Sequence, residues 1–207
     1  MKIFVVVFLL ALTVQNVFAE TPPKMIFNVS GDFNHDGVTD RAALVVRLER
    51  DDPKKGFRGG NYLLDHNGQV DLFIYMGAGA DVLNISRPPT FEKDNIIDQS
   101  RGFIWVTPPT INRAGSLLIH ASQNEGAAFA NDETLTWGFN GNAPPQLIGY
   151  DHSWNLRYSI GSCGVNIASG SAVRDPIDSP QIHYKVAVKP IPLAEWTIPI
   201  WNDVCEP

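Results

Sequence analysis

Short apolar runs separated by clusters of Gly, Pro, Asn and Asp recur along the chain after residue 20. Val, Ile, Phe, Tyr and Trp dominate the runs, and these residues favour strands, whereas the residues between them favour turns. A helical period sustained over a dozen residues is hard to find. The pattern predicts strands at 25–29, 42–48, 62–64, 70–75, 103–107, 117–121, 134–139, 146–150, 163–167 and 183–188.

These strands predict a single, mainly β domain over residues 20–207, built as an antiparallel sandwich or a curled sheet. The best helical alternative is residues 42–50, with two alanines, but their Leu-Val-Val centre favours a strand. Asn-Gly turns are expected at 66–68 and 140–142, because Asn and Gly tolerate positive φ. Long loops are expected at 51–61 and 86–102. From about residue 190 the prolines predict an extended tail, pinned by Trp196 and Trp201.

Residues 1–19 have the layout of a secretory signal peptide. Lys2 gives a positive start, residues 3–14 are almost entirely apolar, and Ala19 supplies a small residue at the cleavage point. The alternative is a membrane anchor, but the apolar run is shorter than the ~20 residues that cross a bilayer. We therefore expect cleavage after Ala19, a periplasmic or secreted protein, and no membrane insertion afterwards.

The net charge of the chain is −6, and no cluster of Lys or Arg occurs. Nucleic acids and anionic membranes attract basic surfaces, so an acidic chain without such a cluster is a poor partner for either. No nucleic-acid partner is expected.

Cys163 and Cys205 are the two cysteines of the chain. In an exported protein, an even pair predicts a disulfide. It would close a loop of roughly 43 residues and contribute about 4 kcal/mol on the chain-entropy model. The alternative, a catalytic Cys163 in Gly-Ser-Cys-Gly, lacks a His or Asn placed by any local signature.

The segment from Gly31 to Asp40 reads Gly-Asp-Phe-Asn-His-Asp-Gly-Val-Thr-Asp and predicts a calcium site. Calcium takes 6–8 oxygen ligands, and alternate residues of a tight loop can point inward together. Gly37 allows the sharp turn, and His35 between the ligands should point outward. The predicted ligands are the side chains of Asp32, Asn34, Asp36 and Asp40 and the carbonyl of Val38.

Two alternatives bear on this loop. An EF-hand is excluded because its twelfth position needs a glutamate, and Ala43 stands there. An Asx-rich turn that binds nothing remains possible, since Asp, Asn and Gly favour turns in any context. Magnesium is disfavoured because it demands a small octahedral cage. The expected role of the ion is structural: it would stabilise the turn between two early strands.

Residues 31–46, with Leu44-Val45-Val46 after the loop, resemble the FG-GAP or VCBS-type repeat, which is a strand, a calcium loop and a second strand. Integrin-like propellers repeat this unit around a ring, whereas this chain carries it once, so a propeller is not expected. The stretches 136–142, 146–151 and 162–170 are similar to the C-terminal half of small exported bacterial proteins with a single such loop. That resemblance implies a fold and an envelope location but no activity.

Other residues predict no catalytic site. None of the histidines shows zinc-like spacing, and His120 is expected to be a strand histidine with satisfied hydrogen bonds. His152, beside Asp151, is the best acid–base candidate. The Trp and Tyr residues favour core packing over a sugar-stacking face.

Three functions fit the sequence. The first is a non-catalytic envelope protein that binds a protein or glycan partner, in a narrower form a periplasmic immunity or inhibitor protein that neutralises a toxin. The second is a secreted hydrolase with an unrecognised active site, which a cleft joining Asp151, His152 and a further carboxylate would favour. The third is a purely structural calcium module of a larger assembly.

Overall fold

The computed structural model describes residues 23–47, 56–64, 69–79, 83–97, 104–124, 129–156, 159–197 and Cys205. The predicted signal peptide, the predicted turn at 66–68 and Trp201 lie outside the described residues.

Two antiparallel sheets make up a single, mainly β domain, as predicted. The smaller sheet has four strands in the order β1-β2-β5-β6. Its strands are β1 (Lys24–Gly31), β2 (Asp40–Arg47), β5 (Gln69–Tyr75) and β6 (Phe91–Lys93). The loop that joins β1 to β2 contains four of the five predicted calcium ligands, and the fifth, Asp40, is the first residue of β2. The predicted order of strand, loop and strand is confirmed.

The larger sheet has eleven strands. They are β3 (Gly56–Arg58), β4 (Asn61–Leu64), β7 (Ile104–Val106), β8 (Thr110–Ile111), β9 (Leu117–Asn124), β10 (Phe129–Gly138), β11 (Gln146–Leu156), β12 (Ser159–Asn166), β13 (Ser171–Pro176), β14 (Ile182–Lys185) and β15 (Ile191–Pro192). The order is β14-β13-β12-β11-β10-β9-β7-β4-β3, with β15 on β11 and β8 on β9. Consecutive strands from β9 to β14 are neighbours, so this half of the sheet is an antiparallel meander.

The two sheets share one core. Leu44, Leu72 and Ile74 of the small sheet belong to the same buried cluster as Ile119 and Leu135 of the large sheet. Side chains alternate between the two faces of a strand, so one face of each sheet points into this cluster. The two sheets therefore pack face to face around a common core, which is the sandwich arrangement expected from the sequence.

The small sheet is covered on its other face too. Ala43, Val45, Phe73 and Tyr75 form a second buried cluster, packed against partly buried residues that include Leu83. Because β2 contributes to both clusters, residues 42–46 are buried without alternation. A strand buried on both faces reads as a continuous apolar run, which explains the Leu-Val-Val centre.

The long loops predicted at 51–61 and 86–102 contain structure that the sequence pattern did not reveal. The first includes β3 and the start of β4, and the second includes β6 and the buried Ile96 and Ile97. The tail from residue 190 is extended as predicted: β15 pairs with β11 and a short 3-10 helix, Leu193–Glu195, follows. Trp196 is buried against Trp137, with ring centroids 6.0 Å apart.

Candidate functional site

The loop between β1 and β2, residues 32–39, folds around its own polar side chains. Asp32 accepts hydrogen bonds from the backbone N–H groups of Asp36 at 3.0 Å and Gly37 at 2.9 Å. Asp36 accepts one from the N–H of Val38 at 2.8 Å and one from the side-chain amide of Asn34 at 3.0 Å. Oxygens of three alternate residues thus gather around the backbone of residues 36–38.

The backbone of this loop adopts the sharp turn that its glycine predicts. Gly37 has a φ of +83°, a region that side chains other than glycine rarely enter. His35 also has a positive φ, of +61°, and is exposed, so it points outward as expected. The hydrogen bonds from Val38 and then Asn34 hold the pKa of Asp36 below its usual value. This carboxylate is therefore charged at neutral pH.

Asp40 at the start of β2 is fully buried and has a different environment. Its Oδ2 accepts a hydrogen bond from the N–H of Phe33 at 2.9 Å, and its Oδ1 accepts one from the N–H of Gly77 at 2.7 Å. One carboxylate thus connects the start of the loop to the turn that follows β5. Phe33, also buried, packs against Phe139 with ring centroids 5.0 Å apart.

Two further contacts connect the loop to turns of the large sheet. The side-chain amide of Asn34 donates to Oδ1 of Asn142 in the β10–β11 turn, at 3.1 Å. The Nε2 of His35 lies 3.1 Å from the carbonyl oxygen of Ala114 in the β8–β9 turn. A Cβ at Gly115 would approach the ring of His35 to 2.9 Å, so glycine there permits the close contact. The loop therefore lies where turns of both sheets meet.

The donor set of the loop fits a hard cation. Carboxylate and amide oxygens are the ligands that calcium prefers, and each oxygen of Asp40 keeps a lone pair beyond its one hydrogen bond. Within the described residues, no three or more His, Cys, Asp and Glu side chains form a group that could hold a metal ion. Calcium binding by Asp32, Asn34, Asp36, Val38 and Asp40 stays a prediction.

A second candidate site is an open groove of about 650 Å³ on the large sheet, which we call the outer groove. It crosses β9 to β13 on the face opposite the shared core, because Thr134 and Asp151 alternate with the buried Leu135 and Tyr150. Gly164 and Ser162 lie on its floor. A Cβ at Gly164 would come within 2.9 Å of Oδ1 of Asp151, so glycine leaves room for that carboxylate.

The outer groove contains a chain of polar contacts. The Nδ1 of His120 is hydrogen-bonded to Oγ1 of Thr134 at 3.1 Å, and its Nε2 lies 3.9 Å from Oδ1 of Asp132. The hydroxyl of Ser153 donates to Oδ2 of Asp132 at 3.4 Å. Burial raises the pKa of Asp151 above its usual value. His120 was predicted as a strand histidine with satisfied hydrogen bonds, and its contact with Thr134 agrees with this.

Asp151 and His152 both line the outer groove, but their side chains leave the strand in opposite directions. They are consecutive residues of β11, so their side chains point to opposite faces of the sheet. His152 is buried. Its ring stacks between those of Tyr150 and Trp154, at centroid distances of 6.3 and 5.5 Å. The outer groove brings Asp151 and His152 together with the carboxylates of Asp132 and Asp175. The cleft that would favour a hydrolase is thus present, although the side chains of Asp151 and His152 point to opposite faces of β11.

Core packing accounts for several of the aromatic residues that might have formed a sugar-stacking face. Trp137, Tyr150 and Tyr75 are buried, as the sequence predicts. Trp154 is partly buried, with the guanidinium of Arg174 5.7 Å from its ring centroid. Trp, Tyr and Phe are not among the described residues that line the outer groove.

Cys163 on β12 forms a disulfide with Cys205, as predicted. Both residues are buried, and the sulfur of Cys163 also lies 3.6 Å from the hydroxyl of Tyr184. The disulfide excludes a free nucleophile at Cys163 and attaches the end of the chain to the large sheet.

The chain matches no family model, no curated protein and no solved structure. No helix in the described part of the chain combines the length and the apolar character needed to cross a membrane.

Proposed function

We propose that this is an exported, calcium-binding, non-catalytic protein of the cell envelope that binds a partner through the outer groove. A periplasmic immunity or inhibitor protein, which neutralises a toxin, is the narrower form of this proposal. The observation that carries it is the open polar groove across five strands of the large sheet. Exposed sheet faces without a covering layer offer a rigid surface for a partner.

Export is supported by the disulfide between Cys163 and Cys205, because disulfides persist in oxidising compartments such as the periplasm. The layout of residues 1–19 points the same way. Calcium binding is supported by the oxygen donors of residues 32–40, and a structural role by the contacts of that loop with turns of both sheets.

A protein partner is better supported than a glycan. Sugar-binding surfaces commonly use the rings of Trp, Tyr and Phe as platforms, and none of these residues is among the described residues that line the groove. The groove offers instead carboxylates, hydroxyl groups and two histidines, which suit hydrogen bonds and ion pairs with a polypeptide.

Site-specific crosslinking tests the proposal. A photoreactive amino acid at Ser162 on the groove floor should capture one dominant partner in living cells. The matched position is Glu92 on β6 of the small sheet, which is exposed and far from the groove in the strand order. Capture at Ser162 and not at Glu92 supports the groove as the binding surface. Absence of a dominant adduct at Ser162, or the same adduct at both positions, contradicts it.

A hydrolase is the second candidate. It is favoured by the cleft that joins Asp151 and His152 with further carboxylates, and by a second arrangement in the same groove. The hydroxyl of Thr134, the ring of His120 and the carboxylate of Asp132 are arranged in sequence, although the last step spans 3.9 Å. In such an arrangement a histidine can take the proton of a hydroxyl nucleophile. Turnover of a panel of ester and peptide substrates that is lost in His120→Asn and kept in His183→Asn would favour this candidate.

A further inference from the structure

The outer groove is lined by acidic side chains and by no Lys or Arg among the described residues. Its described lining includes the carboxylates of Asp132, Asp151 and Asp175. Among the described residues, no hydrogen bond or ion pair involves the side chain of Asp151 or Asp175. The contacts of the Asp132 carboxylate with described side chains are those with Ser153 and His120, at 3.4 and 3.9 Å. The groove therefore carries negative charge that no cationic side chain of the described lining balances.

The strand register spreads these carboxylates across the groove. One row of paired residues crosses four neighbouring strands: Asp132 on β10, Ser153 on β11, Ser162 on β12 and Asp175 on β13. Neighbouring strands are about 4.8 Å apart, so Asp132 and Asp175 are separated by roughly 14 Å of sheet. Asp151 lies between them on β11, two residues along from Ser153. An extended chain rises about 3.3 Å per residue, so side chains four residues apart span a similar distance.

An apolar pair borders one end of this acidic row. Ile160 and Ile177 are 42% and 65% exposed, and the N–H of Ile177 donates to the carbonyl of Ile160 at 2.9 Å. Ile160 precedes Ser162 by two residues and Ile177 follows Asp175 by two, which brings both next to the groove on its side of the sheet. Exposed isoleucines beside an acidic groove add an apolar contact to an ionic one.

We propose that the outer groove docks an extended, cationic segment of a partner protein, with two Lys or Arg side chains about four residues apart and an apolar residue at one end. This rests on the proposed function, and it adds the chemistry of the partner. Charge complementarity carries it: the groove offers spaced carboxylates that lack cationic partners among the described residues, and such a surface selects basic ligands. Burial disfavours the charged form of Asp151 and so raises its pKa, and a docked cation would offset that unfavourable free energy.

Fluorescence anisotropy with labelled decalysine as the probe tests this, with decaglutamate as the opposite charge. The groove variant is Asp151→Asn/Asp175→Asn. Its control is Glu92→Gln/Glu195→Gln, which removes the same charge from exposed positions outside the groove lining. We expect the groove variant to weaken decalysine binding at physiological salt by about tenfold or more, and the control by less than about twofold.

The variant Ile160→Ser/Ile177→Ser tests whether these two exposed isoleucines contact an apolar residue of the docked segment. It should leave decalysine binding unchanged and weaken binding of decalysine extended by a C-terminal or N-terminal Leu-Leu pair. Thermal melts of each variant verify folding. Equal weakening by the groove and control variants, no binding of decalysine, or preference for decaglutamate would overturn the proposal.

The crosslinking experiment at Ser162 distinguishes two proposals: that the outer groove is a binding surface, and that its partner is cationic. A partner captured at Ser162, together with decalysine binding that ignores the groove variant, refutes the cationic class and keeps the groove as a binding surface. No partner at Ser162 refutes the groove as the functional surface itself.

Discussion

Asp40 is a buried carboxylate whose two oxygens accept backbone hydrogen bonds from Phe33 and Gly77. Asp40 could be identified from the sequence as a predicted ligand, because oxygen-bearing side chains at alternate positions before it are typical of a cation-binding loop. Its partner Gly77 could not, since that contact depends on how β5 pairs with β2, 37 residues away. Sequence spacing thus identifies the donors of the loop but not the backbone groups that they satisfy.

Asp40→Asn should lower the free energy of unfolding by about 1–3 kcal/mol, because the amide NH₂ would face a backbone N–H in a buried site. Urea unfolding measures this, in the presence of a chelator so that loss of a metal ligand does not contribute. Asp178→Asn, at an exposed turn, is the matched control and should change stability by less than about 0.5 kcal/mol. Equal midpoints for Asp40→Asn and wild type would show that these two hydrogen bonds do not stabilise the fold.

Asp151→Asn should stabilise the protein at neutral pH. Burial raises the pKa of Asp151 in the folded state above 3.8, so folding disfavours the charged carboxylate. The loss of folding free energy from this charged carboxylate is absent below the pKa of Asp151 in the unfolded state. It grows as pH rises and is complete above the raised pKa of the folded state. We expect a gain of at most about 0.5 kcal/mol, because the side chain is partly exposed and solvent screens it. Urea midpoints of both proteins across this pH range should diverge as pH rises; a gain that is largest in acid contradicts the argument.

Ten strands were predicted from apolar runs, and each overlaps a strand of the structure. The strands that were missed, β3, β6, β8, β13 and β15, are short or mostly polar, so no apolar run marks them. β13, with the sequence Ser-Ala-Val-Arg-Asp-Pro, exists because β12 and β14 pair with it on either side. Tertiary pairing outweighs local preference in such strands, and no single-sequence pattern records it.

The tail after residue 190 illustrates the part that local chemistry does predict. Its prolines favour an extended chain, and Trp196 holds the 3-10 helix against the core, edge-on to Trp137. The indole N–H donates to the carbonyl of Ile96 at 3.3 Å, which joins the tail to the segment after β6.

Trp196→Ala should therefore cost about 3–5 kcal/mol, the usual loss when a buried aromatic side chain is removed. Trp196→Phe keeps ring packing and loses the hydrogen bond, so it should cost clearly less. Denaturant unfolding of the two variants compares them. A loss below about 1 kcal/mol for Trp196→Ala would mean that the tail does not contribute to the core.

At the scale of the whole molecule, two regions stand out: the loop at 32–39 where turns of both sheets meet, and the outer groove on the opposite face of the large sheet from the core. The loop could be identified from the sequence because its predicted ligands lie close together along the chain. The groove could not, because Asp132, Asp151 and Asp175 come from three strands and meet only through the register of the meander. The sequence shows polar residues that alternate along each of those strands. It does not show which of them become neighbours across strands.

We propose a structural role for the loop and a binding role for the outer groove. Since the loop contacts the β8–β9 turn, the β10–β11 turn and the end of β5, an ion that stabilises the loop should stabilise the whole fold. Extracellular calcium sites have a Kd of about 10⁻⁴–10⁻³ M, so about 1 mM calcium would add about 0.4–1.4 kcal/mol to the free energy of unfolding. For a domain of this size that corresponds to a rise in Tm of a few degrees.

The most direct measurement is the Tm of the purified protein with calcium and with a chelator, for wild type and for Asp36→Ala. Asp36 is exposed, so its removal leaves the core intact while it removes a predicted ligand. We predict that calcium raises the Tm of wild type and leaves that of Asp36→Ala unchanged. Equal calcium responses in the two proteins, or no response in either, would contradict the assignment of a stabilising calcium site to this loop.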